Sequence, residues 1–180
     1  MIAARRWKPS GRQCRVALPI ERIVAVNEVS LSDVENRVRE SFARQGFMRL
    51  LGAELSLIER GRTEIKFPFS ATLTQQHGFV HAAAITAVLD SACGYAALSV
   101  APEGVDVLST EFKVNLMSPA AGEKFIARAH VKRAGRTLSV CSADAFAVSG
   151  GVEKLIATML ATIIRLPIVE GGDNGRATEN

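Results

Sequence analysis

Residues 82–100 read Ala-Ala-Ala-Ile-Thr-Ala-Val-Leu-Asp-Ser-Ala-Cys-Gly-Tyr-Ala-Ala-Leu-Ser-Val, an alanine-rich apolar run without proline and with one charge, Asp90, in its middle. Alanine is the strongest helix former, so the run predicts a helix. It is apolar on nearly all sides, which marks a buried central helix rather than a surface helix with one apolar stripe. Pro102 and Gly104 end it. An ionised carboxylate in such a helix is costly to bury unless it is paired or hydrogen-bonded. Asp90 therefore either meets solvent on a face shared with Thr86 or lines a cleft. The apolar surroundings favour the cleft.

Upstream of this helix, Thr74 to His81 is a polar loop. Phe47 to Phe69 reads as two strands joined by a turn at Arg60-Gly61-Arg62, on Leu55, Leu57 and the alternation of Ile65, Phe67 and Phe69. Before them, Ser32 and Glu35 form a capping-box pair, with Asp33 favourable in the first turn. Val34, Val38 and Phe42 follow at helical spacing, and Gly46 stops that helix. Downstream come four strand-like runs: Val105 to Asn115, Glu123 to Lys132, Thr137 to Val148 and Glu153 to Leu166. Turns at Pro119–Gly122, Gly135 and Gly150-Gly151 separate them, and Pro167 closes the last. There are no internal repeats. The order predicts an α+β fold in which an antiparallel sheet of about six strands wraps around a long central helix. One helix cannot cover six strands, so an edge or face should meet another subunit. Residues 1–30 are expected to be a basic arm, 31–168 the folded domain and 169–180 a polar tail.

Composition narrows the function classes. A chain of 180 residues, 48% hydrophobic and 22% charged, suits one soluble globular domain. The net charge is +4, but five basic residues (Arg5, Arg6, Lys8, Arg12, Arg15) fall in the first twenty, and the rest of the chain is nearly balanced. An unpatterned basic arm with one Trp and one Tyr in the whole chain argues against nucleic acid as a partner. Cys14, Cys93 and Cys141 are odd in number and widely spaced, which fits a reducing compartment and a cytoplasmic location. Val16 to Ile20 is too short for the central region of a signal peptide. No segment approaches the ~20 apolar residues of a membrane span. There is no Gly-rich phosphate loop, and no cofactor is expected.

His81 stands at the start of the central helix, where unpaired backbone N–H groups can hold a developing oxyanion. It lies nine residues before Asp90, half a turn away at ~100° per residue and ~13 Å along the axis. One chain would struggle to aim both at one acyl group, whereas two antiparallel helices of a symmetric dimer would not. His77 and His81 have the i, i+4 spacing of metal ligands, but Gly78 stands where a metalloprotease helix has Glu, so no metal is expected. Cys93, among Ala, Gly and Ser, reads as a small packing residue. Ser91 and Ser109 lack a GxSxG elbow.

The stretch Gln75-Gln76-His77-Gly78-Phe79-Val80-His81-Ala82-Ala83, with Leu89-Asp90-Ser91-Ala92 after it, resembles the active-site segment of the phenylacetic-acid-degradation-type (PaaI-like) hotdog thioesterases. That family's pattern is Gly, two residues, His-Gly-Gly, then Asp nine positions after the His. Gly78, His81 and Asp90 match it, and Gln75 fills the Asn/Gln place six positions before the His. Ala82-Ala83 replaces Gly-Gly; Ala keeps the backbone N–H but adds methyl groups. Ser109 to Pro119 is similar to the family's next strand, and the likeness covers roughly residues 45–166.

The resemblance implies a hotdog-fold acyl-CoA thioesterase, working as a homodimer or dimer of dimers with its sites at the subunit interface. It implies that the Ala82 N–H and the Gln75 side chain polarise the thioester carbonyl. Asp90 of the other subunit then acts as general base or nucleophile. Ser109 or Thr110 orients water, His81 supports the loop with Gly78, and Lys132, Arg133 and Arg136 meet the phosphates. Two other readings remain at this point: a hotdog dehydratase or hydratase, which would pair the carboxylate with a His, and a non-catalytic acyl-CoA-sensing module.

Overall fold

The computed structural model describes residues 31–168. The expected arm over residues 1–30, with Cys14, and the expected tail over 169–180 lie outside the described residues. The elements in chain order are α1 (Leu31–Arg44), α2 (Gly46–Leu50), β1 (Glu54–Glu59), β2 (Arg62–Pro68), a short 3-10 turn (Ala71–Leu73), α3 (Ala82–Leu98), β3 (Val105–Leu116), β4 (Lys124–Ala134), β5 (Leu138–Ser149) and β6 (Val152–Pro167). The strands form one antiparallel sheet in the order β1-β2-β4-β5-β6-β3. This is the expected α+β hotdog arrangement, with α3 packed against one face.

Two local expectations need correction. The chain after Gly46 does not enter a strand at Phe47; it makes one more helical turn, and β1 starts at Glu54. Met48 and Leu51 are both buried, and helical spacing puts them on one side where strand alternation would put them on opposite sides. Helix α1 already includes Leu31, so Ser32 lies inside the helix rather than before it as a cap.

The core explains why α3 is so rich in alanine. The helix-facing side of the sheet is itself built from small residues: Ala127, Ala129, Ala143, Ala145, Ala157 and Ala161 are all buried. Small side chains on both surfaces let helix and sheet close together without voids, at the density of a protein interior. Hydrogen bonds then fix the helix. Thr63 Oγ1 of β2 donates to Ala92 O at 2.8 Å, and the Gly61 N–H donates to Ser99 Oγ at 2.7 Å. At the C-terminus of α3, the Arg37 guanidinium donates to Leu98 O, Ala101 O and Pro102 O at 2.6, 2.8 and 2.8 Å. A cation there satisfies carbonyls that the helix leaves open and complements its dipole. The same bonds, with Phe42 edge-on to Tyr95 at 5.6 Å, lay α1 beside α3.

The opposite face of the sheet carries a charged network. Arg128 Nε contacts Glu64 at 2.6 Å, its Nη1 contacts Glu153 at 2.6 Å, and its guanidinium lies 5.0 Å over the Phe146 ring. Burial alone would raise the Glu64 pKa, but hydrogen bonds from Lys66, Ser56 and Arg128 outweigh it and hold the carboxyl down at about 2.

Two stability predictions follow from these contacts. A Cβ added at Gly122 would meet Val148 O at 2.8 Å and Val148 N at 3.0 Å, both backbone atoms of β5. Gly122→Ala should therefore cost about 1–3 kcal/mol, read as a lower denaturant midpoint; an unchanged midpoint would contradict the packing. Glu64, with its folded pKa depressed from 4.5 to about 2, contributes stability that is present above pH 4.5 and is lost as pH falls through about 2. Glu64→Gln should be less stable than the parent at neutral pH, and the two should converge across that window. Parallel stability profiles would show that the network does not couple to folding.

Candidate active site

The loop before α3 is tightly tied. Thr74 bridges to Val80, the Gln75 N–H donates to Phe79 O at 2.9 Å, and the Gly78 N–H donates to Gln75 O at 3.0 Å. Gly78 has φ +82°, the left-handed conformation that closes this turn and that only glycine adopts freely. The buried Val80 anchors the loop, its N–H donating to Ala120 O at 3.1 Å. Gln75 Oε1 accepts the His77 N–H, which leaves the side-chain amide Nε2 as the free donor end.

His81 is the N-cap of α3, and its Nδ1 accepts the Ala83 N–H at 3.0 Å. An accepting Nδ1 puts the neutral ring's proton on Nε2. Among the described residues no acceptor takes the Ala82 N–H. That donor sits at the N-terminus of a 17-residue helix, where the helix dipole favours negative charge. Gln75, His81 and Ala82 line one cleft of about 630 Å³ whose remaining wall is mainly apolar, with Phe79, Ile85, Met117 and Ile156. This cleft holds donors and no carboxylate.

Asp90 lies elsewhere. Beyond the first turn of α3, Thr86, Ala87, Asp90, Ser91 and Gly94 form the half-buried stripe of a helix otherwise buried, so Asp90 occupies the side of α3 that opens outward. Its Oδ1 accepts the Ser109 hydroxyl at 2.5 Å. Ser109 reaches it from β3 because of a bulge: Ser109 pairs with Ile163 and Glu111 with Thr162, leaving Thr110 as the extra residue. The extra residue keeps Ser109 and Phe112 both on the helix-facing side, opposite the buried Ile163 and Ala161. The Thr110 hydroxyl instead donates to Thr162 O at 3.0 Å across the bulge, so Ser109, not Thr110, touches the carboxylate. Asp90 and Ser109 line a second cleft of about 540 Å³ with Ser41, Arg44, Gln45 and Asp106.

The sequence-predicted residues thus fall into two groups on two clefts, donors at one and carboxylate with hydroxyl at the other. Lys132 and Arg133 reach neither; they line a basic hollow with Arg60 and Arg62, and Arg136 sits in the turn between β4 and β5. Cys93 and Cys141 are buried, and burial pushes both thiols up, which suits packing rather than nucleophilic attack. Among the described residues no three His, Cys, Asp or Glu side chains gather as a metal site. No described helix is long and apolar enough to cross a membrane. Sequence reasoning missed Ser41, Arg44 and Gln45. Their one signal was position, at the end of the helix that Gly46 was expected to stop.

The sequence profile of the thioesterase superfamily matches residues 77–154, which include Gly78, His81, Asp90 and Ser109. The chain is 51% identical to a thioesterase family protein from Silicibacter pomeroyi of known structure, covering 74% of this chain and 98% of that one, with a TM-score of 0.74. It shares its fold with a thioesterase from Haemophilus influenzae (22% identity, 77% and 93% covered, TM-score 0.66). It also shares it with the PaaI protein of E. coli, from the phenylacetic acid degradation operon (19%, 76% and 96%, TM-score 0.67). With half of the aligned residues identical over nearly the full length of the first of these proteins, the chain belongs to the thioesterase superfamily and is an enzyme of the hotdog thioesterase type.

Proposed function

We propose that the protein hydrolyses acyl-CoA thioesters at composite sites of a homodimer, each joining the Gln75–Ala82 cleft of one subunit to the Asp90–Ser109 cleft of the other. The observation that carries this reading is the separation itself. Each cleft holds half of what thioester hydrolysis needs, and the edge strand between them is uncovered. β3 is an outer strand of the sheet, and Leu108, Phe112 and Leu116 on it are 59%, 45% and 55% exposed. A long apolar edge strand is a template for pairing with another chain. Pairing β3 with β3 about a two-fold axis would bring each Asp90 towards the other subunit's helix start.

In the proposed reaction the thioester oxygen lies against the Ala82 N–H and Gln75 Nε2. These donors stabilise the negative charge as the carbonyl carbon becomes tetrahedral. Ser109 occupies Asp90 Oδ1 and leaves Oδ2 for water. Oδ2 takes one proton as the water oxygen bonds to carbon. Collapse of the intermediate breaks the C–S bond, and the carboxylic proton passes to the departing thiolate, giving acid and free coenzyme A. Direct attack by Oδ2, through an anhydride that water then opens, uses the same geometry. His81 holds the loop through its cap on Ala83 rather than acting on substrate.

A dehydratase would need a His facing the carboxylate. Among the described residues no histidine hydrogen-bonds Asp90, which takes the Ser109 hydroxyl instead, and His130 bonds Ser142 on the sheet face away from α3. Gln75 beside the helix start, in place of an acid–base His, supports hydrolysis. The basic hollow at Lys132 and Arg133 belongs to neither cleft, so the phosphate contacts expected there form no part of this reading. A cytoplasmic site of action is part of the proposal, resting on cysteine usage alone.

The test is complementation. Asp90→Ala and Gln75→Ala chains, each nearly inactive alone, should regain activity when mixed and allowed to exchange subunits, because a mixed dimer carries one intact site. Thiol release from acyl-CoA at up to about a quarter of the parental rate is expected from statistical mixing. Proven heterodimers with no recovery would rule out the cross-subunit site.

A further inference from the structure

Gln45 stands at the N-cap of α2, a position that favours Ser, Thr, Asp or Asn because their short side chains bond the first free N–H groups. Gln45 makes no such bond. Its side chain turns instead to α3, where Oε1 accepts the Ser91 hydroxyl at 3.2 Å, one residue from Asp90. The side chain is half-buried and lines the Asp90 cleft. With Oε1 held, the amide presents Nε2 as a donor, and no described residue accepts from it. A local rule broken at a cleft, with a polar group held for use, is the pattern of a functional residue.

The two clefts differ in a way that says what this donor meets. In the proposed site the substrate leaves the reacting carbonyl in two directions. The helix-start cleft, with Phe79, Ile85, Met117 and Ile156, suits an apolar acyl group. The Asp90 cleft is polar, and its three charges, Arg44, Asp90 and Asp106, sum to −1. Such a cleft disfavours an anion and accepts an uncharged chain rich in hydrogen-bond acceptors. The amide-bearing pantetheine arm of coenzyme A has that chemistry.

We infer that Gln45 is a substrate-positioning residue, its Nε2 donating to an amide carbonyl of the pantetheine arm in the Asp90 cleft while an apolar acyl group fills the other. This rests on the composite-site reading above. Ser91 orients the Gln45 amide, and Gln45 fixes where the sulfur lies relative to Asp90.

The experiment compares one acyl group on two thiols, N-acetylcysteamine, which keeps the first amide, and pentanethiol, which lacks it. In the parent the amide thioester should have the higher kcat/KM by about 5- to 10-fold, the effect of one hydrogen bond. Gln45→Met removes both ends of the amide, and Gln45→Glu keeps the acceptor for Ser91 but not the donor. In both, the ratio should fall to near one. A purely structural role would slow both substrates and leave the ratio alone, which would overturn the inference. So would a parent ratio of one, whether or not the variants fold. A second arm sets 5-oxohexanoyl-CoA against hexanoyl-CoA. If Gln45 changes that ratio instead, the residue reads the acyl group and the assignment is wrong. Binding of S-hexyl-N-acetylcysteamine, a thioether without a cleavable bond, to Asp90→Asn protein gives the same comparison without turnover. Gln45→Met should weaken it about 5- to 10-fold, and equal affinity would overturn the inference. Absence of hydrolysis in the parent, with Gln45-dependent binding retained, would instead fault the hydrolytic reading.

Discussion

A single 17-residue helix lies on a six-stranded sheet in this protein, and that mismatch shapes everything else. Strands spaced by ~4.8 Å put the sheet edges ~24 Å apart, more than twice the ~10 Å width of a helix. Alanines on both surfaces hold α3 close to the sheet's middle. Helix α1, fastened by Arg37 across the C-terminal carbonyls of α3, covers part of one side. The β3 edge stays open, with apolar side chains on it. Both clefts lie beside it.

The catalytic proposal grows from the same geometry. Asp90 can sit in an apolar helix because it occupies the half-buried stripe, where Ser109 gives it a hydrogen bond and a cleft opens beside it. The helix start, the best oxyanion donor in the fold, is at the far end of the same element. In the proposed mechanism one central helix provides base and oxyanion site, and a single chain holds them apart on two clefts. A two-fold axis would join them, which makes assembly part of the proposed chemistry.

Much of this was legible in residues 74–109. Asp90 announced itself as a charge in an apolar helix, and the step of nine positions from His81 to Asp90 gave the half-turn that separates them. The succession of strands along the chain followed from the Gly and Pro punctuation between runs, whereas their order in the sheet did not. Other features were not readable, for physical reasons. The extra turn α2 depends on Met48 and Leu51 finding one core face, which is a tertiary fact that overrides the stop signal of Gly46. The Thr110 bulge is a matter of register with β6, so Ser109 and Thr110 were indistinguishable until the pairing was known. Arg37 caps carbonyls more than sixty residues away, and no local pattern marks it. Gln45 carried no local signal because its partner, Ser91, lies on another element.

The central claim is that the Asp90 carboxylate does the chemistry, and one substitution separates that from every structural role. Asn keeps the size and the acceptor that the Ser109 hydroxyl needs, but it cannot take a proton from water or attack a thioester. Turnover of an acyl-CoA and melting temperature, measured on one preparation of Asp90→Asn, should show at least ~100-fold slower hydrolysis in a protein that melts with the parent. Near-parental turnover in a well-folded variant would contradict the account.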